Sequence, residues 1–278
     1  MVWPQIRIPI AGSAEIVGFD HALIAVRDLA AAKQTFEAHG FTVLYGGAHS
    51  SGFTHNALIT FADGSYLELI APTDPGLLEH RPELGPGNYL FLFDSGEGFA
   101  GYALDTDDLE QVVNRIRERG LEIGDPQVGG RRRVDGVELR WRTAFLPGST
   151  APFFLTDDTP REHRVRPEPE ITTHSNGVTG ATRIVLAVKD LEHAIRRHIA
   201  ILDTPALPSS AVQGGVAAVF ELGNFTVRLA ASKDHKGNVA EFLSRRGEVP
   251  YQIQLTTNRA HSIGIIELHG ARMELVGP

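Results

Sequence analysis

The chain repeats itself, and that constrains its fold more than any other feature does. Leu23-Ile24-Ala25-Val26-Arg27-Asp28-Leu29 returns as Val185-Leu186-Ala187-Val188-Lys189-Asp190-Leu191, each an apolar run closed by a basic residue and Asp-Leu. A helix-like stretch follows each, at residues 30–39 and 192–201. The Asp suits a helix N-cap, because its carboxylate can accept a bond from an unpaired N–H of the first turn. A third copy, Gly101 to Leu109 with Asp108 in the same role, precedes a helical pattern at 110–120.

Short β-rich segments come after each helix, at 41–45, 55–61 and 65–70 in the first copy, 137–145 and 152–156 in the second, 216–222 and 225–230 in the third. Asp63-Gly64 between two apolar runs predicts a tight hairpin turn. A turn centred on that pair places Ile59 opposite Glu68. One strand, one helix and then further strands make a βαβββ unit. A fourth copy is trimmed: Gly270 to Pro278 mirrors Gly64 to Pro72, but little room remains for a helix before it. The expected organisation is an α+β chain with two units in residues 1–160, a Pro- and charge-rich linker at 161–177, and a partly degenerate pair at 178–278.

Composition removes several function classes. The net charge is −8 and the one basic cluster (Arg131, Arg132, Arg133, Arg140, Arg142) is interrupted by Glu138, which argues against a nucleic-acid partner. There is no cysteine, so thiolate chemistry and disulfides are excluded. No apolar run approaches the ~20 residues that span a bilayer, and the first residues lack the pattern of a signal peptide. A cytoplasmic protein with a small-molecule partner is expected, and a homodimer is compatible with it.

Phe19-Asp20-His21 leading to Asp28-Leu29, then Gly40-Phe41, Gly46-Gly47-Ala48-His49, Thr54-His55-Asn56-Ala57 and Tyr66-Leu67-Glu68-Leu69, resemble glyoxalase-like domains of the vicinal oxygen chelate superfamily. Pro152-Phe153-Phe154 and His174-Ser175-Asn176-Gly177 are similar to later landmarks of that group. The resemblance implies curved mixed-sheet cups made by paired βαβββ units, with a divalent metal (Zn, Ni, Mn or Fe) on the floor. It sets His21 and Glu68 at metal-ligand positions. Strand parity agrees with a shared interior, putting His21 with Leu23 and Ala25, and Glu68 with Tyr66 and Ile70. Buried in apolar strands, either would be costly without a partner.

The other units depart from the pattern. Gly101 falls opposite His21 and Phe154 opposite Glu68 in the second unit; Arg183 and Val227 fall there in the third, while the trimmed fourth offers Gln252 and Glu274. None of the first three units beyond the first supplies a His–carboxylate pair. Around the cup, Glu68 and His55 are expected as acid/base groups, His55 at the rim. His49, Asn56, Arg140, Trp141 and Arg142 are expected as substrate contacts. Alternation in 137–143 also allows a plainer outcome, with Trp141 in the core and Arg140 and Arg142 solvated.

Two functions follow. One is a metal-dependent enzyme in which a Lewis acid stabilises an enolate or oxyanion while a base moves a proton, with lyase, isomerase or epimerase outcomes. The other is a non-catalytic binder that captures a small aromatic or anionic compound in a dry cup. The second half is expected to be structural.

Overall fold

The computed structural model describes residues 16–80, 89–209 and 215–278. Each repeat opens as expected. Strands β1 (Ile16–Ala25), β5 (Gly98–Thr106) and β9 (Val178–Ala187) lead into helices α1 (Leu29–Ala38), α2 (Leu109–Glu118) and α5 (Leu191–Leu202). The caps are chemically identical. Asp28 accepts from Ala31 N at 3.0 Å, Asp108 from Gln111 N at 2.9 Å and Asp190 from His193 N at 2.9 Å. Asp28→Ala is therefore expected to cost about 1 kcal/mol, read as a lower urea midpoint at unchanged slope.

The remaining strands of the first half are β2 (Leu44–Ala48), β3 (Thr54–Thr60), β4 (Tyr66–Pro72), β6 (Gln127–Arg132), β7 (Glu138–Phe145) and β8 (Phe153–Asp157). They form one eight-stranded sheet in the order β2-β3-β4-β1-β5-β8-β7-β6. The β1–β4 and β5–β8 pairs are parallel and the others antiparallel. The sheet curls until its edges meet, where His49 bridges Arg131. The second half adds β10 (Leu207–Ser209), β11 (Gly215–Leu222), β12 (Phe225–Ser232), β13 (Pro250–Thr257), β14 (Gly264–Leu268) and β15 (Ala271–Val276). Its seven-stranded sheet runs β10-β11-β12-β9-β13-β15-β14. In the fourth unit a single helical turn at Ala260–Ser262 stands where the others have a full helix. Helix α6 (Asn238–Arg246) lies on the open face of this sheet.

The two sheets turn their helix-bearing faces toward each other and share one core. Ile24, Leu67 and Phe154 of the first sheet belong to the same buried cluster as Ile184, Val227 and Met273 of the second. Phe19 stacks on Phe225 with ring centroids 4.0 Å apart. Both hollow faces consequently point outward, away from this core. Among the described residues no helix is long and apolar enough to cross a membrane.

Three expectations change. The hairpin between β3 and β4 is not a two-residue turn: Phe61 N bonds Ser65 O, leaving Ala62-Asp63-Gly64 as a three-residue loop with Gly64 at φ 85°. This is the loop length in which a residue of positive φ follows the turn, and glycine takes that position without strain. Leu58, not Ile59, therefore faces Glu68. A one-residue slip sends every side chain to the other face.

The second change is in the equivalences. Leu23 pairs with Glu68, Ala103 with Phe153 and Val185 with Arg228. Leu23, Ala103 and Val185 each lie five residues before their capping Asp. Phe153 and Arg228 thus hold the place of Glu68, while Phe154 and Val227 are core residues. The third concerns residues 161–177, which carry α3 (Arg161–Arg164) and α4 (Pro169–Thr172) and are bound to the first sheet. Arg164 and His174 are buried there. His174 Nδ1 accepts from Thr42 N at 2.9 Å and Nε2 donates to Thr60 O at 3.1 Å.

Candidate functional site

The hollow of the first sheet holds a cavity of about 40 Å³, several times what one water needs. Its walls are largely aromatic, with Tyr66, Tyr89, Trp141, Phe145 and Phe153 among them. Its floor is polar. Strand alternation aims His21 of β1, Asn56 of β3 and Glu68 of β4 into this hollow, while Ala22, Ala57 and Leu67 point back into the shared core.

On that floor the Glu68 carboxylate, only 6% exposed, sits between two imidazoles. His21 Nε2 is 3.4 Å from Glu68 Oε2, and His49 Nε2 is 3.6 Å from Glu68 Oε1. Asn56 Nδ2 donates to Glu68 Oε1 at 2.9 Å and stands 3.4 Å from His49 Nε2. Asn56 Oδ1 is buried with no hydrogen-bond partner among the described residues. His49 Nδ1 faces Thr54 Oγ1 at 2.8 Å. Burial brings the His49 pKa down to about 4, with Glu68 pulling the other way and Arg131 adding to the decrease. This imidazole is neutral at neutral pH.

Behind His21 lies a second layer of charge. Asp20 Oδ1 is 2.5 Å from His21 Nδ1, and the His21 ring stacks on Tyr66 at 4.4 Å and meets Phe153 edge-on at 5.4 Å. Asp20 is fully buried. Arg164 donates to both its oxygens at 2.9 Å, to Tyr66 Oη at 2.6 Å and to both oxygens of Asp157 at 2.7 Å. Arg161 donates to Asp20 Oδ2 and, at 3.1 Å, to Gly64 O. Burial alone would raise the Asp20 pKa, but Arg161 and Arg164 outweigh it and hold the carboxyl well below its usual range. Arg131, also buried, donates to Gly46 O and, at 3.3 Å, to Arg164 O. Burial lowers its pKa and the Glu68 charge pulls it back up, so a guanidinium and this carboxylate sense each other across the floor.

The expected site residues separate into two groups. His21, His49, Asn56, Glu68 and Trp141 meet around the cavity. His55, Arg140 and Arg142 do not line it. His55 pairs with Ala71 on the opposite face of β3 and packs edge-on to Tyr45, because the three-residue loop shifts the register by one. Alternation in β7 turns Trp141 inward and its neighbours outward. Arg142 is bound there by Glu110 and by Asp158 at 2.9 Å, and Arg140 is exposed.

Among the residues of the site that were not expected are Asp20, Tyr89, Arg131 and Arg164. Asp20 adjoins His21 in the chain, which was the available signal. Arg131 lay in a basic cluster whose other members are less buried, and nothing local distinguishes Arg164 from other arginines of the charged segment.

The floor can be tested for a divalent metal. Two ligand atoms each about 2.1 Å from an ion, at a tetrahedral angle, lie roughly 3.4 Å apart, which matches His21 Nε2 and Glu68 Oε2. Among the described residues, however, no group of three or more His, Asp or Glu side chains is placed to hold an ion. His21 and Glu68 fit as a two-ligand site, whose other positions fall to water or ligand oxygens.

Residues 19–201 match the glyoxalase-like domain family. Among solved structures, a hypothetical protein from Staphylococcus aureus superposes with a TM-score of 0.74 at 15% identity, covering 94% of this chain and 99% of that one. A mutant 4-hydroxymandelate synthase from Streptomyces coelicolor gives 0.60 at 14% identity, covering 91% and 78%. At such identities these likenesses show the fold alone. No curated protein sequence matches the chain. The family match over most of the chain and the paired βαβββ architecture agree: the chain belongs to the glyoxalase-like domain family.

Proposed function

We propose that the first cup binds a small oxo, hydroxy or carboxylate compound beside a divalent metal held by His21 and Glu68, and assists proton transfer of the lyase or isomerase type. The observation that carries this reading is the opposition of His21 Nε2 to Glu68 Oε2. With Asp20 engaging Nδ1, Nε2 is the ring nitrogen turned toward the carboxylate. Two buried electron-rich atoms at 3.4 Å call for a positive charge between them.

A bound ion would act as a Lewis acid toward adjacent ligand oxygens. The chain's own groups supply the rest. Tyr89, Trp141 and Phe153 exclude water and pack against a flat ligand. His49, neutral, offers Nε2 as a proton acceptor near Glu68. Asn56 Oδ1 has spare acceptor capacity for a hydroxyl or N–H. The cavity volume favours a ligand of few atoms.

A second reading, a binder without metal, is favoured by one observation: the buried Arg131 already offsets Glu68. Metal analysis of protein purified without chelator, followed by thermal denaturation with Zn, Ni, Mn or Fe(II), separates the two. Metal at a hundred times its Kd is expected to stabilise the wild type by about 2.7 kcal/mol, and Glu68→Gln to abolish the response. Protein that contains no metal and responds to none would leave only the binder.

A further inference from the structure

We infer that Asp20, clamped by two arginines from the segment joining the sheets, is the positioning residue that fixes which nitrogen of His21 carries the proton. The inference rests on His21 and Glu68 forming the working floor of the cup. Its evidence is the hydrogen-bond inventory around one buried carboxylate.

Asp20 Oδ2 receives Arg161 Nη1 and Arg164 Nη2, and Oδ1 receives Arg164 Nη1. Among the described residues His21 Nδ1 is the remaining hydrogen-bond neighbour, 2.5 Å from Oδ1. A carboxylate has no proton to give, so the imidazole must be the donor in that contact. The proton therefore stays on Nδ1, and Nε2 is the nitrogen presented to Glu68. A carboxylate or carbonyl acceptor on the far nitrogen is how proteins set the tautomer of a working histidine.

The arginines matter because they leave Asp20 no choice. It is fully buried and cannot rotate without breaking contacts to Arg161 or Arg164. Arg164 is fixed in turn by Asp157 and by Tyr66, whose ring stacks on His21. Both arginines come from α3, which follows the last strand of the first sheet. Eight strands alone do not complete the site; the segment after them does.

The same inventory predicts what Asp20→Asn does. Two guanidinium bonds converge on the Oδ2 position and one on the Oδ1 position, so an amide places its oxygen at Oδ2 and its NH₂ toward His21. His21 Nδ1 must then accept, and the proton moves to Nε2, facing Glu68. This is testable in the full chain without knowing the substrate. Long-range ¹H–¹⁵N spectra of ¹⁵N-histidine-labelled protein at neutral pH, assigned with His21→Gln, are expected to show Nδ1 protonated in the wild type and Nε2 alone protonated in Asp20→Asn. Zinc affinity is expected to fall 10- to 100-fold in the variant.

Wild-type His21 protonated only on Nε2 would overturn the inference, and that measurement needs no variant to fold. A tautomer unchanged in a folded Asp20→Asn would overturn it as well. If the tautomer switches as expected while neither protein binds zinc, the positioning role stands and the metal reading falls.

Discussion

Arg164→Ala is expected to cost about 3–5 kcal/mol of folding stability, measured by urea unfolding at neutral pH. The guanidinium is 3% exposed and touches two carboxylates, of which Asp20 is fully buried. Removing it leaves Asp20 to Arg161, takes the donor from Tyr66 Oη and leaves Asp157 with Arg161 at 3.7 Å. Desolvation of a lone buried charge, more than the lost attraction, is what makes such a change expensive. Arg164→Lys is expected to recover only part of the loss, since one ammonium cannot hold two carboxylates in parallel fork geometry. A loss below about 1 kcal/mol for the alanine variant would mean that desolvation of the arginine cancels its pairing.

The same carboxylate carries a pH dependence of known sign. Its folded pKa lies below its unfolded one, so its contribution is present above the unfolded value near 4 and is lost as pH falls through the folded value.

A further acid effect comes from two histidines. Burial lowers His49 and His174 to about 4 each, from an unfolded value near 6.5. His174 also loses its bond from Thr42 N if Nδ1 takes a proton. Below pH 6.5 the unfolded chain binds protons that the folded chain refuses, and stability falls until pH approaches 4. At 1.36 kcal/mol per pKa unit, each histidine accounts for about 3 kcal/mol. Asp105 works the other way, because burial raises its pKa and it gains a proton in the folded state first. The expected net is a loss of several kcal/mol between pH 7 and pH 4, seen as a falling urea midpoint. His174→Gln should flatten that profile by roughly half. A midpoint that does not move over this range would contradict the burial of both rings.

Much of the architecture was legible because it is written in local patterns. The capping Asp residues, the apolar runs before them and the period-two alternation each depend on neighbours within a few positions. Those patterns were enough for four βαβββ-like units, the last one trimmed. They also placed Arg140 and Arg142 on a single face of their strand without saying which face was inside. The structure put them outside, where Arg142 is paired with Glu110 and Asp158.

Several of the differences are differences of register. Register depends on loop geometry, and a single extra residue in the loop after β3 moved His55 from Glu68's face to the helix-bearing face. The same one-residue margin separated Phe154 from Phe153 and Val227 from Arg228.

Residues alone determined the repeat and the α+β character, since propensity, capping and alternation act over short distances; the expectation that His21 and Glu68 share a floor rested on the family resemblance. Only the tertiary structure decided which groups meet. Arg131 crosses to Gly46, and Arg164 reaches Asp20 through a hundred and forty-four positions of chain, because burying a charge requires a partner wherever the fold brings one close. That requirement leaves no mark in the local pattern.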